Sequence, residues 1–292
     1  CGRDSANDDD IGGLVAEGTE NSIPNVVSIA GVDPSGGAGV LADVKAMSAC
    51  GAYACGVIAA LTAQNTQTVT GVMPVPATFL KEQIDTLFDD VRIDAVKIGM
   101  LGTVEQIETV ADALVRRKPR FVVVDPVMVA KGGSRLLAAD AVDALKERLL
   151  PLATIITPNL PEAMCLLGRE EDVTEEFPEV ARELWKLLGR RNAWVYLKGG
   201  HLEGESAYDL LFNNVVSVPF TAPRVPTKNT HGTGCTLSSA IAAFLPQSVD
   251  VPEACRRAKE YLTGAVRHAG ELDVGHGHGP TNHFWRLWKE MV

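Results

Sequence analysis

Long apolar runs are missing from this sequence. No run approaches the roughly 18 residues that a helix needs to span a bilayer. Clustered positive charge is missing as well, because the formal net charge is −10. Proteins that bind nucleic acid or anionic lipid need grouped Lys and Arg side chains. The sequence therefore argues against a nucleic-acid partner and a membrane partner, although a local basic pocket stays possible.

Cysteine is sparse, and its spacing shows no pairing pattern. The six cysteines form no Cys-x-x-Cys motif and are too scattered over 292 residues for a disulfide scaffold. A reducing compartment is the simpler interpretation, so we predict a cytoplasmic protein. Aromatic residues make up only 5%, but the hydrophobic content of 46% is enough for a full core in a chain of this length.

The first 24 residues differ from the rest in composition. They hold six acidic residues and a single Arg, which predicts a disordered acidic tail. They begin without Met and match neither a signal peptide nor a transit peptide, so a processed or engineered end is one interpretation. Residues 25–292 show no internal repeat and no linker. We therefore predict one domain over 25–292.

From residue 25 onward, short β-branched runs alternate with amphipathic segments, a pattern typical of a mainly parallel sheet covered by helices. A polar Gln/Asn/Thr loop is predicted after the second strand. The helix over 77–91 is predicted to bury Phe79, Ile84, Leu87 and Phe88 on one face. The fold class is therefore α/β. The predicted strands are 25–31, 55–61, 94–100, 121–127, 154–157, 193–197, 208–212 and 215–220.

Polar and glycine-rich segments follow several of these strands. Ligands of open parallel sheets bind beyond the carboxyl ends of the strands, so these segments predict one shared site. The first of them, GVDPSGGAG, lacks the Lys and Ser/Thr of a nucleotide-binding P-loop, and its glycines could simply allow a tight turn. The segments are 31–39, 64–66, 99–102, 125–133, 157–162, 198–201 and 228–235.

The segment TKNTHGTGC precedes an apolar stretch that is predicted to be a helix. Its Gly232, Thr233 and Gly234 can present backbone N–H groups to an anion at the helix N-terminus, and Lys228 could add a full charge. A thiol at this position is predicted to have a lowered pKa, which makes Cys235 a candidate base or nucleophile. A buried small residue is the alternative for Cys235. The other cysteines and Met47, Met73 and Met128 are expected in the core or as the lining of a pocket.

Two further motifs contain possible metal ligands. In TPNLPEA, Asn159 and Glu162 have the spacing at which both side chains can face a hydrated Mg²⁺, although a helix cap explains the pair equally well. His276, His278 and His283 could suggest zinc. The GHGHGP segment offers no Cys or paired carboxylate at zinc-site spacing, so zinc is not predicted.

Taken together, these stretches resemble the hydroxymethylpyrimidine and phosphomethylpyrimidine kinase family of thiamin biosynthesis, within the ribokinase-like superfamily. The resemblance covers essentially all of residues 25–292, in the order expected for the family. The matching motifs are SIAGVDPSGGAGVLADVKAMSACGAY, ALTAQNT, KIGML, DPVMVAKGG, ITPNLPEA, LKGGH, TKNTHGTGCTLSSAIAA and VGHGHGP.

The resemblance implies a central, mostly parallel sheet flanked by helices on both faces, usually in a homodimer. It implies ATP and Mg²⁺ as cofactors, and two successive phosphorylations at one site. The first would convert the hydroxymethyl group of 4-amino-5-hydroxymethyl-2-methylpyrimidine to a monophosphate, and the second would extend the monophosphate to the diphosphate.

The resemblance also implies roles for individual residues. Superfamily sugar kinases carry Asp where this chain has Cys235, so Cys235 is implied to be the base, provided that the helix terminus and Lys228 lower its pKa from about 8.5. Lys131 could approach the phosphates or be a solvated surface residue. The implied substrate contacts are Gly31, Asp43, Gln64, Met100 and Val127, with backbone near Ala38 and Val40, and the implied nucleotide contacts are Asn159, Lys198, Gly200 and Lys228.

Two alternatives remain open at this stage. Pyridoxal or pyridoxine kinases phosphorylate the hydroxymethyl group of a similar ring, and Gln64 favours the pyrimidine because an amide can both donate and accept. A pyrimidine-binding protein that has kept the fold and lost turnover is the second alternative. The intact segment 228–235 and the Asn159–Glu162 pair argue against it.

Overall fold

All nine strands of this computed structural model belong to one sheet, in the order β3-β2-β1-β4-β5-β6-β7-β8-β9. The structure describes residues 22–128, 137, 140–169, 177–200 and 206–288. The strands are β1 (Asn25–Val32), β2 (Tyr53–Gln64), β3 (Val69–Pro74), β4 (Ala95–Ile98), β5 (Phe121–Val124), β6 (Ile155–Ile156), β7 (Trp194–Lys198), β8 (Ser206–Phe212) and β9 (Ser217–Pro223).

Strands β2, β1, β4, β5, β6 and β7 are parallel, whereas β3, β8 and β9 pair antiparallel at the two edges. Helix α4 continues through a π-helical turn, Leu145–Leu149, and a 3₁₀ turn, Leu150–Leu152. The helices are α1 (Gly39–Ala49), α2 (Ala77–Asp90), α3 (Val104–Arg117), α4 (Ala141–Ala144), α5 (Leu160–Leu167), α6 (Phe177–Leu187), α7 (Thr233–Phe244) and α8 (Val251–Arg267).

The central strands β4 and β5 are buried on both faces, although successive residues of a strand point to opposite sides of the sheet. Val122 and Val124 of β5 pack into a core that includes α2, α3, α5 and α6. Val123, between them, packs into a second core formed with α1, α7 and α8. The predicted α/β class, with helices on both faces of a mostly parallel sheet, is confirmed.

Three details of the prediction are wrong. The polar segment after the second strand contains the edge strand β3, whose alternating pattern is hidden because almost every residue in it is exposed. Met73 of β3, expected in the core or a pocket, is 60% exposed. Phe79 of α2 was expected on the buried face and is 53% exposed, because Leu80 and Ile84 are the buried residues of this helix.

Candidate active site

The N-terminus of α7 is open to an anion. Gly232 precedes the helix with a φ of 76°, and no side chain among the described residues caps this end. The first turn also carries no acidic residue. The N–H groups of a helix's first turn have no partner within the helix. The backbone N–H groups at Gly232, Thr233 and Gly234 are therefore open, and the binding of an anion by them stays a prediction.

The loop between β1 and α1 lies directly against this helix end. A Cβ atom at Gly37 would lie 2.3 Å from the His231 ring, and one at Gly232 would lie 1.7 Å from the Gly37 carbonyl oxygen. His231 Nε2 is 2.7 Å from Oδ2 of Asp33, which also accepts the Ala38 N–H. Glycine is therefore required at both positions for the two loops to touch.

Asp33 is charged in this arrangement. Burial opposes its ionisation, but hydrogen bonds from His231 and from Ser35 outweigh burial and lower the pKa of Asp33. Its other oxygen, Oδ1, accepts the Ser35 N–H at 2.9 Å. Asp33 therefore shapes its own loop and binds the histidine that precedes Gly232.

Cys235 lies where two helices begin. Its side chain is in the first turn of α7, close to the N–H of Gly39, the first residue of α1. Burial raises the pKa of Cys235 to about 11, and the charge on Lys97 and the Gly39 N–H only partly oppose this. The predicted lowering of the pKa by Lys228 is wrong, because Asp43 and Asp125 raise it further and the opposing cation is Lys97.

A buried ion pair lies beneath the thiol. Lys97 of β4 is completely buried and donates to Oδ2 of Asp43 at 2.8 Å. Ser28 donates to the same oxygen and Ser239 of α7 donates to Oδ1. Burial alone would lower the pKa of Lys97, but Asp43 raises it above the usual range, so the lysine stays charged.

This placement corrects the role expected for Asp43. A direct hydrogen bond to the acceptor needs an accessible carboxylate, whereas Asp43 is 0% exposed and both of its oxygens already accept hydrogen bonds. The residue instead joins α1, β4 and α7 under the site. A buried carboxylate of this kind is held by its cation and its donors together.

A second buried cluster is centred on Asp125, directly after β5. Lys198 and Thr157 donate to its Oδ1, both at 2.9 Å, and Ser238 of α7 donates to Oδ2 at 3.2 Å. Burial would raise the pKa of Asp125, but Lys198 and Lys97 lower it. The pKa of Lys198, which burial would lower, is raised by Asp125 and Glu162. Both groups are therefore charged.

Lys198 also reaches the helix terminus. A Cβ atom at Gly234 would lie 3.2 Å from the Lys198 Nζ and 3.7 Å from an oxygen of Asp125. The ammonium group is therefore next to the N–H groups of the open helix end. This adjacency supports the phosphate contact that was expected of Lys198.

Asn159 and Glu162 form a reciprocal cap at the start of α5. Asn159 Oδ1 accepts the Glu162 N–H at 2.8 Å, and Glu162 Oε2 accepts the Asn159 N–H at 2.9 Å. The capping alternative for this pair is thus realised. Burial raises the pKa of Glu162 to about 7, an effect that Lys198 opposes and Asp125 reinforces. Glu162 Oε2 is 3.9 Å from the Lys198 Nζ.

The residues expected to bind the acceptor occupy the ends of neighbouring strands. Gln64 is the last residue of β2 and accepts a hydrogen bond from Thr62 at 3.2 Å. The sulfur of Met100 would be 3.4 Å from a Cβ atom at Gly31, so these two residues are packed together. Val127 follows β5 and is half-buried. Among these residues, Gln64 supplies a polar group, whereas Met100 and Val127 supply apolar surface.

The other residues that were expected to contact a ligand are exposed or lie outside the described residues. Lys228 is exposed on the loop before α7, and its carbonyl accepts the Thr230 N–H at 3.0 Å. Gly200 is exposed after β7, and its carbonyl accepts a hydrogen bond from Arg224. Lys131 lies outside the described residues. Of the three histidines that could suggest zinc, His276 and His278 are exposed, whereas His283 is buried against Thr236.

Sequence reasoning missed four residues that organise this site: Asp33, Lys97, Asp125 and His231. A signal for Lys97 existed, because a lysine inside the apolar run AVKIGM is costly to bury unless a partner neutralises it. Asp125 likewise follows the apolar run FVVV. The partners themselves, at sequence separations of 54 and 73 residues, follow only from the fold.

An α/β fold whose parallel strands end beside an open helix N-terminus is typical of proteins that bind phosphorylated ligands. The sequence profile described as phosphomethylpyrimidine kinase matches residues 33–282. The hydroxymethylpyrimidine/phosphomethylpyrimidine kinase of Escherichia coli K12 is 48% identical over 264 residues, which cover 90% of this chain and 98% of that protein. The chain belongs to the phosphomethylpyrimidine kinase family and is a phosphotransferase.

Solved structures show the same architecture. The Bacillus subtilis pyridoxal kinase, solved as an ADP complex, has a TM-score of 0.82 and 35% identity, covering 91% of this chain and 100% of that one. The phosphomethylpyrimidine kinase of Clostridium difficile 630 has a TM-score of 0.72 and 39% identity, covering 84% and 100%. This chain is therefore similar, in sequence as well as in fold, to two kinases that are named for different ring substrates.

Proposed function

We propose that this kinase transfers the γ-phosphoryl group of ATP to the hydroxymethyl group of 4-amino-5-hydroxymethyl-2-methylpyrimidine, and then phosphorylates the monophosphate to the diphosphate for thiamin biosynthesis. We further propose that residues 25–292 act as one kinase domain. The observation that carries the proposal is the convergence of the α7 N-terminus, Lys198 and Cys235 at the ends of the parallel strands. The resemblance to the Escherichia coli kinase supports the choice of substrate.

The anion-binding groups supply most of the catalysis in this proposal. The N–H groups of Thr233 and Gly234 bind the phosphoryl group in transfer, and the Lys198 ammonium balances its charge. Phosphoryl transfer passes through a loose transition state that depends mainly on positioning and on charge stabilisation. The ADP complex of the related pyridoxal kinase supports a nucleotide in this class of site.

Cys235 is the proposed acceptor of the proton from the attacking hydroxyl group. Because its pKa is raised to about 11, only a small fraction of the protein carries the thiolate at neutral pH. That thiolate is a strong base once formed, and Lys97 below it is the charge that favours its formation. Cys235 therefore contributes less at pH 7 than the anion-binding groups do.

The acceptor ring would lie at the ends of β1, β2 and β4. The Gln64 amide can donate to a ring nitrogen and accept from the exocyclic amine of an aminopyrimidine. Met100 against Gly31, together with Val127, would form apolar walls around the ring. Asp43 supports this site from below and makes no direct contact in the proposal.

Glu162 is the proposed carboxylate for Mg²⁺, with Asn159 acting through water. The fit is partial: Oε2 of Glu162 caps α5, and its Oε1 has no hydrogen-bond partner among the described residues. Mg²⁺ keeps several waters and binds through one or two carboxylates plus substrate phosphates, which suits a single open carboxylate oxygen. When bound, the ion would neutralise phosphate charge.

A homodimer is the proposed assembly. The edge formed by β2 and β3 exposes Leu61, Val72 and Met73, and an exposed apolar edge strand favours pairing with another chain. Light scattering of the wild type and of Val72→Glu tests this, since the substitution should convert a dimer to a monomer. A wild-type monomer at micromolar concentration would contradict it.

The proposed location is the cytoplasm. Five cysteines in the described part of the chain are free, which suits a reducing compartment. None of the helices described by the structure has the length and apolar character needed to cross a bilayer.

Steady-state kinetics with two acceptors tests the proposed substrate. We expect kcat/KM for hydroxymethylpyrimidine to exceed that for pyridoxal at least tenfold, with Mg-ATP as donor. Pyridoxal phosphorylation is the competing function, favoured by the TM-score of 0.82 to a pyridoxal kinase. A higher kcat/KM for pyridoxal would transfer the assignment to vitamin B6. Pyrimidine binding without ADP formation would instead indicate a binding protein.

A further inference from the structure

The glycine-histidine segment near the C-terminus touches both halves of the site. Residues 275–280, here called the strap, have the sequence Gly-His-Gly-His-Gly-Pro. They lie between the loop after β2, which follows Gln64, and the loop before α7, which precedes Gly232. The nucleotide and acceptor contacts proposed above make no use of this segment.

On the acceptor side, the strap binds Thr66. The N–H of Gly277 donates to Thr66 Oγ1 at 3.1 Å, and the N–H of His278 donates to the Thr66 carbonyl oxygen at 3.1 Å. Thr66 is two residues after Gln64, the proposed ring contact. The strap therefore fixes both the side chain and the backbone of the loop that carries the acceptor contact.

On the phosphate side, the strap binds the loop that leads into α7. Gly279 accepts the His231 N–H at 3.0 Å, and His231 and Pro280 form a parallel β-bridge. The His278 Nδ1 is 3.1 Å from the Lys228 carbonyl oxygen, so this nitrogen carries the proton and donates. His231 is also bound to Asp33, which shapes the β1–α1 loop. Consecutive strap residues thus hold both loops.

The alternating glycines are required by close contacts. A Cβ atom at Gly275 would lie 2.3 Å from Thr66 Oγ1, and one at Gly277 would lie 2.0 Å from the Thr66 carbonyl oxygen. A Cβ atom at Gly279 would lie 2.5 Å from Oδ1 of Asn229. Gly275 also has a φ of 66°. The strap therefore fits closely against both loops, and the spacing in GHGHGP is explained without zinc.

We propose that the strap positions the acceptor-binding loop relative to the phosphate-binding loop, so that acceptor and nucleotide each bind more tightly when the other is present. This inference rests on the proposed function, because it names the two ligands of that site. Because the strap binds both loops, a ligand that holds one loop in its binding position also restrains the other loop, and a coupling between two sites is reciprocal. Thr66, Gly277 and His278 are positioning residues in this account.

Thr66 offers a matched pair of variants. Thr66→Val keeps the shape of the side chain and removes the oxygen that accepts the Gly277 N–H, whereas Thr66→Ser keeps that oxygen. The other end offers His278→Leu, which removes the donor to Lys228, and His278→Asn, whose amide can replace Nδ1. Gly277→Ala introduces the predicted clash with Thr66. Gly270→Ala is its control, because nothing lies within 4 Å of a Cβ atom there.

The coupling is measured by titrating ADP calorimetrically, with and without saturating hydroxymethylpyrimidine. For the wild type we expect the Kd of ADP to fall about tenfold when the pyrimidine is present. Thr66→Val, His278→Leu and Gly277→Ala should reduce this ratio to near one, with the Kd of ADP alone unchanged within about twofold. Most of the coupling ratio should be kept in the three control variants, Thr66→Ser, His278→Asn and Gly270→Ala. In Thr66→Val, kcat should fall about tenfold.

Two results separate this inference from the proposed function. A wild type that phosphorylates the pyrimidine but binds ADP equally well with and without it overturns the strap proposal alone. A Thr66→Val variant that keeps the full coupling ratio also overturns the strap proposal. This test does not depend on whether Gly277→Ala folds. A wild type that does not phosphorylate the pyrimidine overturns the proposed function.

Discussion

Cys235, the proposed base, has a pKa that is unfavourable for this role at neutral pH. It belongs to the first turn of α7 and lies close to the first N–H of α1, yet burial and two carboxylates hold the thiol protonated. Lys97 is the charge that opposes them. The helix terminus alone therefore does not hold Cys235 as a thiolate.

The first prediction concerns the pH dependence of turnover. With a pKa of about 11, the thiolate fraction of Cys235 increases tenfold for each pH unit across the neutral range. If this thiolate is the base, kcat of the wild type should rise between pH 7 and 9, with a slope of log kcat approaching one. Cys235→Ala should lose about tenfold or more in kcat at pH 9 and show no slope.

Cys235→Asp is the informative companion variant, because an aspartate is ionised throughout this range. It should retain measurable turnover with a flat profile between pH 7 and 9. Equal slopes in the wild type and Cys235→Ala would remove Cys235 from the role of base and leave the anion-binding groups as the main catalytic element.

The second prediction concerns Lys97. Its charge lowers the pKa of Cys235, so Lys97→Met should raise that pKa further and slow the reaction of this thiol with iodoacetamide at least tenfold at pH 9. Peptide mass spectrometry follows Cys235 separately from the exposed Cys165, whose labelling rate is the internal control. An unchanged rate at Cys235 would show that Lys97 does not act on the thiol.

Helix α8 depends on a close contact with the segment that follows the strap. A Cβ atom at Gly264 would lie 2.1 Å from the Trp285 ring, which also stacks on His268 at 5.2 Å. Asn282 adds a backbone hydrogen bond to Ala265 of the same helix. The C-terminal segment is therefore attached to α8 immediately after it crosses the site.

The third prediction follows from this contact. Gly→Ala within a helix ordinarily stabilises by up to about 1 kcal/mol. At Gly264 the clash with Trp285 should reverse the sign, so Gly264→Ala should lose about 1–3 kcal/mol in the free energy of unfolding. Urea denaturation measures this, and Gly270→Ala, which meets no atom within 4 Å, should stay within about 0.5 kcal/mol of the wild type. A stabilised Gly264→Ala would contradict the packing.

Some helices and strands of this fold can be predicted from the sequence, and others cannot. Runs such as FVVVDPV, buried on both faces, identify central strands, and the glycines before α7 identify its N-terminus. Strand β3 was not predicted from the sequence. Almost all of its residues face solvent, so apolar and polar residues do not alternate along it as they do in a half-buried strand. Phe79 misleads because helical spacing allows more than one apolar face, and the neighbouring elements decide which face is buried.

Long-range electrostatics limits prediction at the scale of the whole molecule. The sequence places Cys235 and Lys228 seven residues apart, which suggests that they interact. The fold instead surrounds the thiol with Lys97, Asp43 and Asp125, from three other parts of the chain. The convergence of these segments at the strand ends was therefore predictable, whereas the direction of the pKa shift of Cys235 was not.

The fourth prediction concerns stability against acid. His283 is buried against Thr236, and burial, helped by the charge on Lys45, lowers its pKa to about 3. Below the unfolded pKa of about 6.5, only the unfolded chain takes up this proton, so the folded state loses about 1.4 kcal/mol per pH unit until about pH 3. Above pH 6.5, His283 is neutral in both the folded and the unfolded state, so its titration no longer lowers the free energy of unfolding.

His283→Gln isolates this contribution, because glutamine does not titrate. Urea denaturation between pH 4.5 and 6 should give a steeper loss of stability for the wild type than for His283→Gln, by about 1.4 kcal/mol per pH unit. Parallel profiles for the two proteins would mean that His283 is able to charge in the folded state.

The central claim is that one site performs two successive phosphoryl transfers on a pyrimidine. A ³¹P NMR time course with hydroxymethylpyrimidine and excess Mg-ATP tests this most directly. We predict a monophosphate resonance that rises first and then declines as the diphosphate appears, in step with ADP formation. A monophosphate that accumulates without any diphosphate, or a spectrum in which no pyrimidine phosphate forms, would contradict the account.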